Sequence, residues 1–261
     1  MHGVFCRAFG KFWLSFFKSS RGCVGQRPRG LELERSMDME RYKEEFIELM
    51  LEAGVLLFGD FTAKSGRKTP YFINTGNFKT GKHMARLSAY YAQCYAANVG
   101  KDSTVLFGPA YKGIPLATAV SVALARDFGI DCKISFNRKE AKDHGEGGVI
   151  VGYTPQPGDR LVIVEDVITA GTAVRESMEI LKAFPDAKVT DLLIAADRME
   201  KGQGTLSAVQ EVEKEHGIKV HPVVNIREIL AYLHNREVGG RVYINDDMKA
   251  RIDAYLEQYG A

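Results

Sequence analysis

The densest chemistry in this 261-residue chain lies in LVIVEDVITAGTAVRES, residues 161–177. Glu165 and Asp166 close a short apolar run, and Thr169, Ala170, Gly171 and Thr172 open what reads as a helix. Small residues let backbone approach a ligand closely. Successive N–H groups at a helix start, joined by two threonine hydroxyls, suit a phosphate dianion. The two carboxylates would repel that anion, so they must address another part of the same molecule, either vicinal ribose hydroxyls or a magnesium ion. A phosphorylated ribose meets both demands. The same residues also fit a plainer arrangement, a strand, an acidic turn and a helix capped by Thr169 or Thr172.

Three further segments and one arginine carry reactive groups. In FTAKSGRKTPYFINTG (61–76), Lys64 sits in a Gly/Ser turn where its ammonium can meet an anionic base and a phosphate. Tyr71 and Phe72 offer faces to a planar ring, or pack the core of a strand. GPAYKGIPLA (108–117) follows an apolar run and sets Tyr111 and Lys112 among turn amides; alternatively its Gly and Pro only punctuate a turn. FNRKEAKDHGEGG (136–148) places Arg138, Lys139, Lys142 and His144 ahead of Gly145, Gly147 and Gly148. Positive charge on a freely hinged backbone is the pattern of a closing lid, although a solvated hairpin has the same composition. Arg198, in AADRME, could hold a carboxylate in a bidentate fork or pair with Asp197 or Glu200.

EDVITAGTA closely resembles the phosphoribosyl-pyrophosphate (PRPP) motif of the type I phosphoribosyltransferases, departing from its commonest form in having Glu165 as first acid. The four segments together resemble the orotate phosphoribosyltransferases. The likeness runs from about Tyr42 to the region of Arg198, weakens toward the C-terminus and leaves out residues 1–37. It implies PRPP contacts from Lys64, Tyr111, Lys112, Arg138, Lys139, Lys142 and His144, and from the run Glu165, Asp166, Val167, Ile168, Thr169, Ala170, Gly171, Thr172 and Ala173. It implies orotate contacts from Lys64, Tyr71, Phe72, Thr169 and Arg198, with Lys142, His144 and Asp166 nearest the chemistry. It further implies magnesium held mainly through PRPP without direct protein ligands. The assembly would be a cytoplasmic homodimer whose lid, about residues 138–148, is shared between subunits, working in pyrimidine synthesis. Two other readings stay open: transfer to a different base, and a PRPP-sensing regulator without catalysis.

These groups need elements to position them. Apolar spacings of three and four predict a helix over 38–54, capped by Asp38 and stopped by Gly54. Residues 55–76 read as short strands broken by Gly59, Gly66 and Pro70, followed by a helix over about 81–99. Then strand-like runs (104–107, 131–136, 161–166, VTDLLIAA ending at Ala196, and 219–226) alternate with helical ones (114–128, about 172–184, near 205–216) before closing helices. That alternation predicts an α/β fold, a central mainly parallel sheet flanked by helices. By resemblance it is the type I phosphoribosyltransferase fold with a small hood and a mobile lid loop. Ligands in such sheets bind at the carboxyl ends of strands.

Composition narrows the classes. With 45% hydrophobic and 26% charged residues the chain is neither low-complexity nor collagenous, and no run of about 18 apolar residues is long enough to span a bilayer. Neither a P-loop nor a G-x-G-x-x-G turn after a strand occurs. Cys6, Cys23, Cys94 and Cys132 are scattered and fit no zinc spacing, which suits reduced thiols. Residues 1–31 hold six basic residues and no acid, while the remainder sets 29 basic against 33 acidic residues. That body is too acidic for a general nucleic-acid surface. Residues 1–37 therefore read as an extension, either an organelle-targeting peptide or, as favoured here, a non-native start upstream of Met37 and Met39. Residues 38–261 read as a single domain.

Overall fold

The computed structural model describes residues 29–63, 66–142, 148–168, 171–202 and 204–261, with backbone alone at 29–40, 141–142 and 148. The chain divides into two units, Met1–Ser36 and Met37–Ala261, and the sheet and site belong to the second. Helix α1 runs from Arg29 to Glu52, so the expected Asp38 cap does not occur. No Gly or Pro interrupts residues 31–52, and their Leu, Glu, Arg and Met are strong helix formers that carry the helix past Asp38. Gly54, at φ +64°, ends it as expected.

A six-stranded sheet follows, in the order β5-β4-β3-β6-β7-β8. Its strands are β3 (Val105–Gly108), β4 (Lys133–Lys142), β5 (Gly148–Gly152), β6 (Arg160–Val164), β7 (Lys188–Asp197) and β8 (Lys219–Asn225). All neighbours are parallel except β4 and β5. The predicted strand at 131–136 is thus longer and returns on itself, because Val149, Ile150 and Val151 supply a β-branched partner strand. The chain leaves β3 through α3 (Gly113–Ala123) toward β4, and leaves β6 through α4 (Thr172–Leu181) toward β7. These crossovers diverge between β3 and β6 and open a crevice at the strands' carboxyl ends.

Strand alternation builds two cores. Leu106, Val162, Val164, Leu193 and Ala195 face one side, packed with α1, α2 (Gly81–Asn98), α6 (Ile226–Leu233) and α7 (Asp246–Tyr259). Val105, Phe107, Leu161, Ile163, Leu192 and Ile194 face the other, with α4 and α5 (Ala208–His216). A sheet buried on both faces requires the near-continuous apolar strands that the sequence carries.

Over the first core sits a separate antiparallel hairpin, β1 (Leu56–Thr62) and β2 (Lys68–Ile73). Pro70 lies inside β2 rather than ending it, since a two-stranded ribbon has an open edge where a missing N–H is tolerated. Gly59, at φ +151°, falls where the register shifts between Phe58 and Phe61. Helix α7 braces this hairpin through an Arg251–Asp60 ion pair of 2.5 Å and an edge-on contact of 5.9 Å between Tyr71 and Tyr255. A short hairpin, β9 (Glu237–Val238) and β10 (Arg241–Val242), precedes α7. Among the described residues no helix is long and apolar enough to cross a membrane.

Candidate active site

The acid pair stands at the end of β6, still inside the ladder to β7. Glu165 N donates to Leu193 O at 3.0 Å, and Ala195 N donates to Asp166 O at 2.8 Å. Tyr91, fully buried on α2, donates its hydroxyl to the Glu165 carbonyl at 2.9 Å. Both carboxylates fold back on their own turn, Glu165 accepting Asp166 N at 2.9 Å and Asp166 accepting Val167 N at 2.8 Å. Asp166 Oδ2 also takes Thr75 Oγ1 at 2.6 Å and Lys112 Nζ at 2.7 Å. Three turns, after β2, β3 and β6, therefore meet on one oxygen. Burial pushes the Glu165 carboxyl up to about 7. Burial also opposes the charge of Asp166, but hydrogen bonds from Lys112, Thr75 and the Val167 amide outweigh it and hold that carboxyl below its ordinary value.

The turn after β3 is built on close approach. A Cβ at Gly108 would lie 2.4 Å from Gly113 O, and one at Gly113 would lie 2.6 Å from Pro109 Cδ and 2.9 Å from Val164 O. The turn is pinned to β4, Ala110 N donating to Asn137 Oδ1 at 2.9 Å. The Ala110–Tyr111 peptide is cis. Tyr111 is 70% exposed, and Lys112 is exposed apart from its bond to Asp166.

Helix capping separates the helices into two groups. Thr80, Ser207, Asn225 and Asn245 cap α2, α5, α6 and α7 by accepting a backbone N–H, the middle two within full capping boxes. Helices α3 and α4 start instead at Lys112 and at Gly171 (φ +71°), with no side-chain cap bond. Thr172 is thus the first helical residue and not the cap. Among the α-helices whose N-caps are described, the two whose first N–H groups lack a capping side chain follow the turns after β3 and β6, where an anion would satisfy them. Thr172 and Ala173 are exposed there, and Val167 and Ile168 are half-buried.

Lys64, His144, Thr169 and Ala170 lie outside the described residues, as does the side chain of Lys142. The arms of the expected lid are β4 and β5. On β4, Lys139 lies 3.7 Å from Glu176 of α4, and the half-buried Arg138 accepts Asn137 Nδ2 on its carbonyl. Tyr71 does not offer a ring face to a ligand. It is fully buried against Tyr255, with its hydroxyl donating to Glu200 Oε1 at 2.6 Å. Phe72, next along the strand and so on the opposite face, is half-buried and stacks on Phe61 at 5.7 Å. Arg198 follows β7 and pairs with Glu200, while Asp197 accepts Met199 N at 2.8 Å. Thr75, Tyr91 and Asn137 were not singled out by sequence. Thr75 and Asn137 do lie inside two of the motif segments, whereas nothing local marks Tyr91. Among the described residues no group of three His, Cys, Asp or Glu is placed to hold a metal.

The phosphoribosyl transferase domain family matches residues 74–220; with the sheet order and the acid-bearing turn, this makes the chain a type I phosphoribosyltransferase. An orotate phosphoribosyltransferase of Clostridium botulinum (strain Alaska E43 / Type E3) is 52% identical over 223 residues, 85% of this chain and 100% of its own. One from Actinobacillus pleuropneumoniae serotype 5b is 51% identical over 222 residues, again 85% and 100%. The crystal structure of the orotate phosphoribosyltransferase of Francisella tularensis superposes with a TM-score of 0.72 at 38% identity, covering 83% of this chain and 100% of that one. The chain belongs to the orotate phosphoribosyltransferase family. A match over 223 residues is longer than the stretch from Tyr42 to Arg198, so the likeness extends beyond those motifs.

Proposed function

We infer that this chain transfers the phosphoribosyl group of PRPP to orotate, giving orotidine 5′-monophosphate and diphosphate. The supporting observation is the convergence of Thr75, Lys112 and Asp166 at one oxygen between two helices that lack capping side chains. In the reaction the ring nitrogen of orotate forms a bond to the anomeric carbon. The bond from that carbon to diphosphate breaks, and the electron pair leaves with diphosphate. The ribose passes through an oxocarbenium-like state, so the protein's main task is to stabilise charge and align the reacting atoms. Glu165 and Asp166 accept the ribose hydroxyls, the amides of 169–172 hold the 5′-phosphate, and Phe72 and Arg198 receive orotate, together with Lys64. Lys112, released from Asp166, and Arg138, Lys139, Lys142 and His144 of the lid meet the diphosphate, beside Tyr111.

Magnesium fits this site as a passenger of PRPP. The described loop offers only two adjacent carboxylates, both engaged by backbone amides, and no third acid or imidazole. Held through the diphosphate of PRPP rather than by protein ligands, it would supply positive charge to the leaving group. The reading includes a homodimer with the 138–148 lid shared between subunits, and a catalytic unit of residues 38–261 with 1–37 outside it. It also includes a cytoplasmic setting, supported by the free, buried thiols of Cys94 and Cys132.

The test is loss of orotate's ultraviolet absorbance with PRPP and magnesium, run beside adenine, hypoxanthine and uracil. Turnover of orotate alone is expected. Turnover of another base would overturn the orotate assignments, and PRPP binding without turnover would favour a regulator.

A further inference from the structure

Resting on Arg198 as the orotate carboxylate's partner, we propose that Glu200 is a positioning residue that sets how Arg198 meets the substrate. Arg198 Nε donates to Glu200 Oε1 at 2.9 Å, and Nη2 lies 2.7 Å from the same oxygen. Nη2 is fully buried and makes no aligned hydrogen bond. The part of Arg198 that reaches solvent, about a quarter of the side chain, is therefore not Nη2. Glu200 thus holds the guanidinium through Nε and Nη2 and fixes its orientation, while about a quarter of the Arg198 side chain still reaches solvent.

The surroundings are arranged to keep Glu200 in place. Its side chain is 14% exposed, and Oε1 takes the Tyr71 hydroxyl at 2.6 Å as well as Arg198. The Arg198 guanidinium lies over the Tyr71 ring, 5.4 Å from its centroid. Between the two charged residues Met199 adopts φ +52°, a left-handed conformation uncommon for a residue with a side chain. Three bonds hold that turn: Met199 N to Asp197 Oδ1 at 2.8 Å, Lys201 N to Tyr259 O at 2.8 Å, and Ala261 N to Met199 O at 3.0 Å. Strain kept by such bracing marks a turn whose side-chain placement matters. A carboxylate beside a substrate-binding arginine also opposes an anionic substrate, so its presence is explained by orientation rather than by attraction.

The experiment compares Glu200→Gln, Tyr71→Phe and Arg198→Met by steady-state kinetics and thermal unfolding. Glu200→Gln keeps the shape and an acceptor oxygen but removes the charge that fixes the guanidinium. Its KM for orotate is expected to rise roughly 10- to 100-fold, with a much smaller fall in kcat and little change in KM for PRPP. Tyr71→Phe, which keeps the ring, should shift the orotate KM in the same direction by less. This second variant carries the test if Glu200→Gln does not fold. An orotate KM that is unchanged or lower in these variants, or a parallel loss across both substrates with lowered stability, would overturn the positioning role. Should Arg198→Met leave the orotate KM unchanged, the assignment of Arg198 itself falls; a rise there with none in the other two removes only Glu200's role.

Discussion

Asp166 and Glu165 are neighbours in sequence with opposite electrostatics, and pH separates them. A carboxyl raised to about 7 adds stability that is present below its ordinary value and lost as pH rises through 7, which is the case for Glu165. Asp166, held low, contributes the reverse, lost only as pH falls. Glu165→Gln is therefore expected to flatten the decline in thermal stability between about pH 4.5 and 7, as melting temperatures across that range would reveal. PRPP affinity should rise through the same range in the unaltered protein, because an ionised carboxylate accepts hydrogen bonds from the ribose hydroxyls, and the variant should lose that rise. Lys142→Ala should reduce kcat by about 100-fold or more while PRPP binding changes far less, since a leaving-group contact counts mainly in the transition state. Single-turnover rates beside PRPP titrations would check this, and an effect confined to KM would remove Lys142 from the chemistry. These residues were legible because each sits in a contiguous motif. Thr75 was not, since its bond to Asp166 spans 91 positions and only folding brings the two together.

Elements were legible wherever periodicity was uninterrupted, and the departures have local causes. Five strands of the main sheet follow from apolar runs, whereas β5 was hidden behind a polar, glycine-bearing segment and the extension of α1 to Arg29 turns on helix propensity that a plausible cap at Asp38 concealed. For Tyr71 and Phe72 the strand is evident but its inward face is not, because the helix that packs on Tyr71 comes more than 170 positions later. Close packing at β3 and α3 gives a sharper expectation. Gly113→Ala drives a methyl against backbone and Pro109, and should cost about 1–3 kcal/mol and weaken PRPP binding with it. Gly81→Ala, at the start of α2 with nothing within 4 Å of the new methyl, should be neutral or up to about 1 kcal/mol stabilising. Denaturant unfolding of the pair would test the contrast.

At the scale of the whole molecule, the proposed sharing of the lid between subunits is tested by a complementation experiment. Lys142→Ala and Asp166→Asn proteins, each weak alone, should form hybrids on mixing in which one site has an intact lid and an intact acid. About a quarter of full activity is expected at random pairing, and none beyond the sum of the parts if each lid serves its own subunit. That expectation comes only from family likeness, because composition and periodicity say nothing of which copy a loop serves. The bracing of the first hairpin by the last helix bears on how the chain is made. Asp60 meets Arg251 across 191 positions, so β1 and β2 emerge from the ribosome long before their support exists. Contacts this distant in sequence delay folding. The turn after β6 can assemble around β3, β6 and β7 while synthesis continues, but Tyr71 and the turn that carries Arg198 wait for α7. Competence to bind the sugar phosphate should thus precede competence to choose the base, and a nascent chain halted before Asp246 would have the first without the second.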